Sequence, residues 1–416
     1  MEILEELAAL LPLCDLTSLR GTSRAMRDVA TRVARRWRCV PAQEEPCESE
    51  IKAARQGRDL VLLAWVSGRS AAHHLAASGA SKEALRASGA GDLEDPDGAG
   101  RTPLAYASAA GHASTVQALV DLGVDVNGEP AADGATPLSW ATYEGHADVV
   151  ARLLAAGADA NAGAAGGEMK CPLGVAALLG RLDIVEMLLR AGAEVDTPGL
   201  AISARKPLLT ALQIAARFGC ADVVGALVAA GADCTRRDAD GNTPLCVAVA
   251  NDDVDTVKEL LRAGDAGVDV PGRDGVPPLH LAVRSENSAA VHALLAAGAA
   301  VNLTEPEWSS TPLHIGAAVG HVDIVRALLA SGADVGARDG VLGATPLHWI
   351  GAFTDARDDG LWERQLCVVD ALVAAGADPT ARCLSGRTPA QYAQRARCLA
   401  MAERLTQLAR EHAGGR

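Results

Sequence analysis

One opening recurs along the chain. A start like Thr-Pro-Leu followed by an Ala-rich helical stretch appears nine times, and most copies close on an end like Leu-Leu-x-x-Gly-Ala-Asp. The Thr slots hold Thr102, Thr136, Cys171, Thr210, Thr243, Pro277, Thr311, Thr345 and Thr388, at steps of 34, 35, 39, 33, 34, 34, 34 and 43. Such a period predicts a stack of small units, each burying its apolar face only against its neighbours. A catalytic site is singular, whereas these residues return with the period, so the pattern predicts a scaffold that binds.

The local chemistry of one unit is readable. A Thr hydroxyl before Pro can accept an orphan backbone N–H, and Pro in the first helical position loses no hydrogen bond. Eight to ten residues on, pairs such as Gly111-His112, Gly145-His146 and Gly320-His321 break the first helix. A second helix follows, with apolar residues at helical spacing, as in Val149, Val150, Leu153 and Leu154. Gly157, Gly192, Gly231, Gly298, Gly332 and Gly376 end it, where a left-handed cap suits glycine. Asp133-Gly134, Asp240-Gly241 and Asp274-Gly275 then predict tight turns. The unit is helix, turn, helix, hairpin loop.

Period and motif together resemble the ankyrin repeats, whose unit is about 33 residues long and carries Thr-Pro-Leu-His-x-Ala. The resemblance covers residues 96–400 and implies an all-α solenoid of about nine repeats. At helix spacings of about 8–10 Å such a stack is an elongated, curved rod on the order of 80 Å. It also implies a concave face, formed by two positions before each Gly-His break and by the hairpin residues before each Thr. There stand Tyr143, Glu144, Leu178, Leu179, Arg217, Phe218, Arg284 and Phe353, with Trp308 in a hairpin segment between Glu305 and Glu307. Tyr143, Leu178, Leu179 and Phe218 come from three consecutive repeats and are expected to form one apolar patch for a protein partner. The competing reading is that some of them only cover alanines of the next repeat. Tyr106, Trp140, Trp349 and Tyr392 share a slot inside the first helix and are expected in the core. Insertions at 198–209 and 354–365 break the period and are expected as loops, idle or touching a partner.

Composition narrows the partner. The chain carries 52 acids against 38 Lys and Arg, a net charge of −14, and only 3% of it is aromatic. Residues 1–40 hold seven arginines against five acids, so the remainder carries −16. Nucleic-acid binding needs clustered Lys and Arg, and none is expected here. The ten cysteines lie scattered without C-x-x-C pairs and read as reduced, mostly buried thiols of a cytoplasmic or nuclear protein. The start is acidic, unlike a secretory signal, and no apolar run reaches the roughly 20 residues of a membrane span.

The first 40 residues follow another pattern. Three short helices are expected, with Asp15 as a cap and Met26, Val29, Val33 and Trp37 on one helix face. Leu11, Pro12, Asp15, Leu16, Leu19, Arg20, Ser23, Arg24 and Arg27 resemble an F-box. The departures are the missing Leu-Pro at the start of the first helix and Met26 where an aromatic is common. The resemblance implies docking on the Skp-type adaptor of a cullin–RING ubiquitin ligase through Leu10, Pro12, Leu16 and Leu19, with the repeats holding the protein to be ubiquitinated. The alternatives are an amphipathic cap on the solenoid, which such stacks need, and an ankyrin-repeat adaptor or inhibitor without a ligase link. Residues 41–50 read as a linker, 51–95 as one or two degenerate capping repeats, and 401–416 as a C-terminal cap helix and tail.

No nucleophile elbow, phosphate loop, H-E-x-x-H or kinase set occurs, and neither catalytic residue nor cofactor is expected. His280, His314 and His348 recur one repeat apart. At roughly 10 Å between repeats they cannot share an ion whose ligands lie about 2 Å away, and each is expected to hydrogen-bond within its own loop region.

Overall fold

The computed structural model of the protein describes residues 70–87, 93–128, 134–163, 171–198, 209–262, 264, 266–350, 361–396 and 398–414. The structure is helical, and the chain divides by its own contacts into two units: Met1–Phe218 with Ala229–Ala232, and Gly219–Val228 with Asp233–Arg416.

The first unit carries α1 (Ala71–Ala77), α2 (Lys82–Ala87), α3 (Pro103–Ala109), α4 (Ala113–Asp121), α5 (Pro137–Glu144), α6 (Ala147–Ala155), α7 (Pro172–Leu178), α8 (Leu182–Arg190) and α9 (Ala211–Phe218). Helix α1 packs on α3, α3 on α5, α5 on α7 and α7 on α9; the second helices α2, α4, α6 and α8 pack in the same order. Helix α10 (Ala221–Ala229) lies, all but its last residue, in the second unit. There follow α11 (Pro244–Ala250), α12 (Val254–Arg262), α13 (Pro278–Arg284), α14 (Ser288–Ala296), α15 (Pro312–Val319), α16 (Val322–Ala330), α17 (Pro346–Trp349), α18 (Leu361–Ala374), α19 (Pro389–Arg395) and α20 (Leu399–Gly414). First helices α11 to α19 and second helices α12 to α20 again form two parallel rows.

The sequence explains the rows. The Leu after each Pro is buried in both units, from Leu104, Leu138 and Leu173 to Leu245, Leu313 and Leu347. Burying one such side chain stabilises by about 1.5–3 kcal/mol. The second helices add triplets at helical spacing, Val149/Val150/Leu153, Ile184/Val185/Leu188 and Ile324/Val325/Leu328, all with no exposed surface. Alanines such as Ala107, Ala141 and Ala317 lie between them, fully or almost fully enclosed. The Thr slots cap as expected: Thr102, Thr136 and Thr243 accept the backbone N–H three residues on, at 3.3, 3.2 and 3.2 Å. Gly157, Gly192, Gly298, Gly332 and Gly376 all have φ between 86° and 96°, with open space where a Cβ would stand. Their glycines answer a conformational need.

Asparagines fasten second-helix ends to one another. Asn302 donates from Nδ2 to the Gly332 carbonyl at 3.2 Å and accepts the Asp334 N–H at 2.8 Å. Asn127 and Asn161 make the same pair of bonds to the repeats that follow them.

Four expectations need correction. The histidines of the Thr-Pro-Leu-His motif do not bond only within their own repeat, where Nδ1 of His314 and His348 meets Thr311 and Thr345: Nε2 of His280, His314 and His348 reaches the carbonyls of Ser310, Ala344 and Arg387, in the following repeat, at 3.0, 3.1 and 3.1 Å. Of the four aromatics expected in the core only Trp349, against Trp308 and with its indole N–H on Asp339, is buried; Tyr106, Trp140 and Tyr392 are half-buried. Glu305 does not flank Trp308 at the surface. It is 2% exposed and its carboxylate accepts the N–H of Glu307, Trp308 and Ser310. Finally, the end of the second insertion is helical: α18 begins at Leu361, and buried Gln365 donates to the Ala318 carbonyl at 2.8 Å. Leu361-Trp362-Glu363-Arg364-Gln365 contains no Pro or Gly to stop a helix. The insertion's first residues, 354–360, lie outside the described residues, as do 199–208 of the other one.

Candidate functional site

In the first unit the C-terminal ends of three consecutive first helices lie in a row. Helix α5 ends in Tyr143 and Glu144 and is stopped by Gly145 at φ 76°. Helix α7 ends in Leu178 with Leu179 as its cap, and α9 ends in Arg217 and Phe218. All six side chains are half-buried. The cause is geometric. The preceding turn of each helix is spent on the core, as with Val175, Ala176 and Ala177 in α7 and Ile214, Ala215 and Ala216 in α9, all at 1% exposure or less. The last residues then overhang that core and keep an open side. Tyr143 rests edge-on against Trp140, with ring centroids 6.4 Å apart and planes at 85°.

The turn after α5 is held by the next repeat, where Arg181 donates to the Gly145 carbonyl. His112 and His146 hold the ends of α1 and α3 in the same way, bonding through Nε2 to the carbonyls of Ala77 and Ala109 at 3.0 and 3.1 Å. The Arg181 bond fixes the end of α5, and what the row offers is an apolar strip with a carboxylate and a guanidinium beside it.

The remaining candidates stand elsewhere. Arg284 ends α13 in the second unit and is exposed. Trp308, also in the second unit, is half-buried and packs edge-on against Trp349 at 6.3 Å. Phe353 and the adaptor-docking residues Leu10, Pro12, Leu16 and Leu19 lie outside the described residues.

Sequence reasoning missed the hairpin tips of the second unit. Val341, Leu342 and Leu384 are 51%, 40% and 77% exposed. Their signal was an apolar pair directly after Asp339-Gly340 and a leucine in Cys383-Leu384-Ser385, in loops that are otherwise small and polar.

Loop carboxylates are held as anions. Burial pushes the Asp97 carboxyl up, but the backbone N–H of Arg101, the Tyr106 hydroxyl and the Ala99 N–H outweigh it and leave Asp97 below its ordinary range. Glu305 is lowered in the same way: burial raises it, and the N–H groups of Trp308 and Glu307 with Ser310 overcome that. Burial raises the Cys171 and Cys246 thiols, and takes Cys220 up to about 11. Among the described residues no disulfide is formed; of the seven cysteines four are buried and Cys367 is exposed. The described His, Cys, Asp and Glu side chains form no cluster that would hold a metal ion.

A family model of ankyrin repeats (three copies) matches residues 67–164, 129–199, 173–274, 212–305 and 279–352, together well over half of the chain. The chain belongs to the ankyrin-repeat family. Among solved structures this ankyrin-repeat chain is similar to the ankyrin repeat domain of Bcl-3, titled a unique member of the IkappaB protein family. The identity is 26%, over 57% of this chain and 99% of that one, with a TM-score of 0.48. No curated protein matches. Ankyrin repeats make this chain a protein–protein interaction scaffold, and the match indicates no catalytic family. No helix among the described residues is long and apolar enough to cross a membrane.

Proposed function

We propose that this chain is the substrate-recognition subunit of a cullin–RING ubiquitin ligase of the F-box type. A protein partner lies on the helix-end row of the first unit, on Tyr143, Leu178, Leu179 and Phe218, between Glu144 and Arg217. Residues 1–40 dock a Skp-type adaptor through Leu10, Pro12, Leu16 and Leu19. The observation that supports the binding half is the row itself: three consecutive helices end in large apolar side chains that the core beneath leaves half open. A partner that closes over them gains the rest of their burial, on the order of 1 kcal/mol for each side chain. The ligase half is supported by the F-box-like run of residues 11–27 in the sequence.

The test has two arms on the full chain. Affinity capture with a purified Skp-type adaptor should succeed and be abolished by Leu16→Asp with Leu19→Asp. If the unaltered chain captures no adaptor, the reading becomes an ankyrin-repeat adaptor or inhibitor without a ligase link. Partners found by proximity labelling should bind Phe218→Ala/Tyr143→Ala at least about tenfold more weakly, as truncation of central anchors does. Unfolding of that variant should shift by little. A collapse of its stability would mean that both side chains belong to the core.

A further inference from the structure

The second unit carries a surface that the helix-end row does not use. Three of the four large hydrophobic side chains most exposed among the described residues sit on two adjacent hairpin tips: Val341 and Leu342 on one, Leu384 on the next. The tips are joined. The Leu384 N–H donates to the Leu342 carbonyl at 2.9 Å, and a Cβ on Gly343 would stand 2.9 Å from Cγ of Leu384. The preceding loop joins in turn, because Gly340 N–H donates to the Trp308 carbonyl at 2.9 Å. Exposed apolar side chains are ordinary when single; a contiguous group on fixed loops marks a contact surface.

The charge around this group runs against the rest of the chain. Arg338, Arg382 and Arg387 are exposed on the same two loops. Arg338 donates from Nη1 to the carbonyls of Gly343 and Arg382 at 2.9 and 2.8 Å, and Arg382 to that of Gly386 at 2.6 Å. These bonds fix where two of the guanidiniums stand without neutralising them. Within the tips themselves, residues 338–343 and 382–387, the one carboxylate is Asp339, which is 4% exposed and turned inward, accepting the N–H of Val341 and Leu342 and the indole N–H of Trp349. The exposed Asp334 and Asp378 stand four residues before Arg338 and Arg382; Asp334 accepts the Gly336 N–H, and Asp378 accepts from Thr380 and lies 3.8 Å from His412. Among the described residues no ion pair engages any of the three arginines, in a chain with fourteen more acids than bases.

We infer that the two hairpin tips formed by Val341, Leu342 and Leu384, with Arg338, Arg382 and Arg387 around them, dock an acidic protein segment that carries large apolar side chains. The apolar side chains of the segment cover the two leucines and Val341, and its carboxylates meet the guanidiniums. A second copy of this acidic chain is repelled in general, yet a short acidic segment is drawn to this one place. Burial supplies affinity here and the unpaired charges supply orientation and rate.

The test uses the full chain and a fluorescein-labelled ten-residue peptide alternating leucine and glutamate, read by anisotropy. Binding should weaken as salt is raised. Arg382→Glu with Arg387→Glu should weaken it on the order of tenfold or more, and Leu384→Ser with Leu342→Ser likewise, while circular dichroism and thermal unfolding stay as in the parent. The same peptide with lysine for glutamate, or with serine for leucine, should not bind. Absence of binding by the leucine–glutamate peptide, or binding unchanged in both variants, overturns the inference. So does equal binding of the lysine peptide. Sedimentation with phosphatidylserine vesicles that is stronger than peptide binding and lost in Leu384→Ser would overturn it in favour of a membrane surface. Loss of partner binding in Phe218→Ala does not bear on this surface, and these tip variants do not bear on the helix-end row.

Discussion

The imidazole of His314 donates from Nε2 to the carbonyl of Ala344, 3.1 Å away, and so ties the first helix of one repeat to the start of the next. Its other nitrogen accepts the Thr311 N–H at 3.2 Å and pairs with the Thr311 hydroxyl at 2.8 Å. A ring that accepts at Nδ1 and donates at Nε2 is neutral, and a second proton would break the first of these bonds.

Acid should therefore loosen the second unit. Burial lowers His280, His314 and His348 below their ordinary 6.5. The unfolded chain takes up these protons first, so stability that is complete above pH 6.5 is lost as pH falls toward the folded values. The depressed carboxylates of Asp97 and Glu305 act in the same direction at lower pH, with stability lost as pH falls below their ordinary values of 3.8 and 4.5. Urea midpoints measured from pH 8 to pH 3 should fall in two stages. Replacing the three histidines by glutamine should flatten the first stage; a midpoint constant from pH 8 to pH 5 would contradict it.

Pro277→Thr should stabilise. Pro277 occupies the Thr slot and offers no hydroxyl, so α13 lacks a side-chain cap and the buried Nδ1 of His280 has no partner. A cap contributes about 1 kcal/mol and satisfying a buried polar atom about 1–3 kcal/mol. Losing a proline frees the unfolded chain by only about 0.4–1 kcal/mol. The expected net gain is about 1 kcal/mol in chemical denaturation, and Pro277→Val should show none of it.

Two glycines should respond differently to alanine. Gly157 has φ 92° and open space around an added Cβ, so Gly157→Ala meets only the left-handed backbone cost of about 1 kcal/mol. Gly111 has φ 73°, and its Cβ would stand 2.6 Å from Cε1 of His146, the ring that bonds to Ala109. Gly111→Ala should cost about 2 kcal/mol or more. Equal losses in thermal unfolding would show that the histidine contact is slack.

Cys383→Asp should also stabilise. Cys383 stands where another loop places Asp97, and burial pushes its thiol up, but its hydrogen bonds with Ser385 and Tyr392 outweigh that and hold it below its ordinary value. The site already favours an anion. A carboxylate there should accept the bonds that Asp97 accepts from its loop and from Tyr106. A gain of about 1 kcal/mol is expected at pH 7, fading below about pH 4 as the new carboxyl protonates. Cys383→Ser is the control, and an equal effect from it would refute the charge argument.

Much of the fold was legible because the instructions are local. Thr before Pro, Gly at the second-helix ends and valine or leucine at helical spacing each act within a few residues, and the period repeats them until they are unmistakable. Parts of the site were legible for the same reason: Tyr143, Leu178, Leu179 and Phe218 could be placed by counting back from the break between helices. What could not be counted was the degree of burial. Trp140 and Trp349 share a slot, yet only Trp349 is enclosed, with its indole N–H on Asp339 and Trp308 against its ring.

The sequence by itself determined the unit, its caps and the order in which the helices stack, since these depend on backbone conformation and on apolar spacing along one segment. The tertiary structure alone decided which polar side chains cross between repeats and which apolar ones stay in water. The His314 partner lies 30 residues away, and the leucines of two hairpins meet only when their repeats stack. Such pairings depend on distances between segments, and no pattern within either segment encodes them.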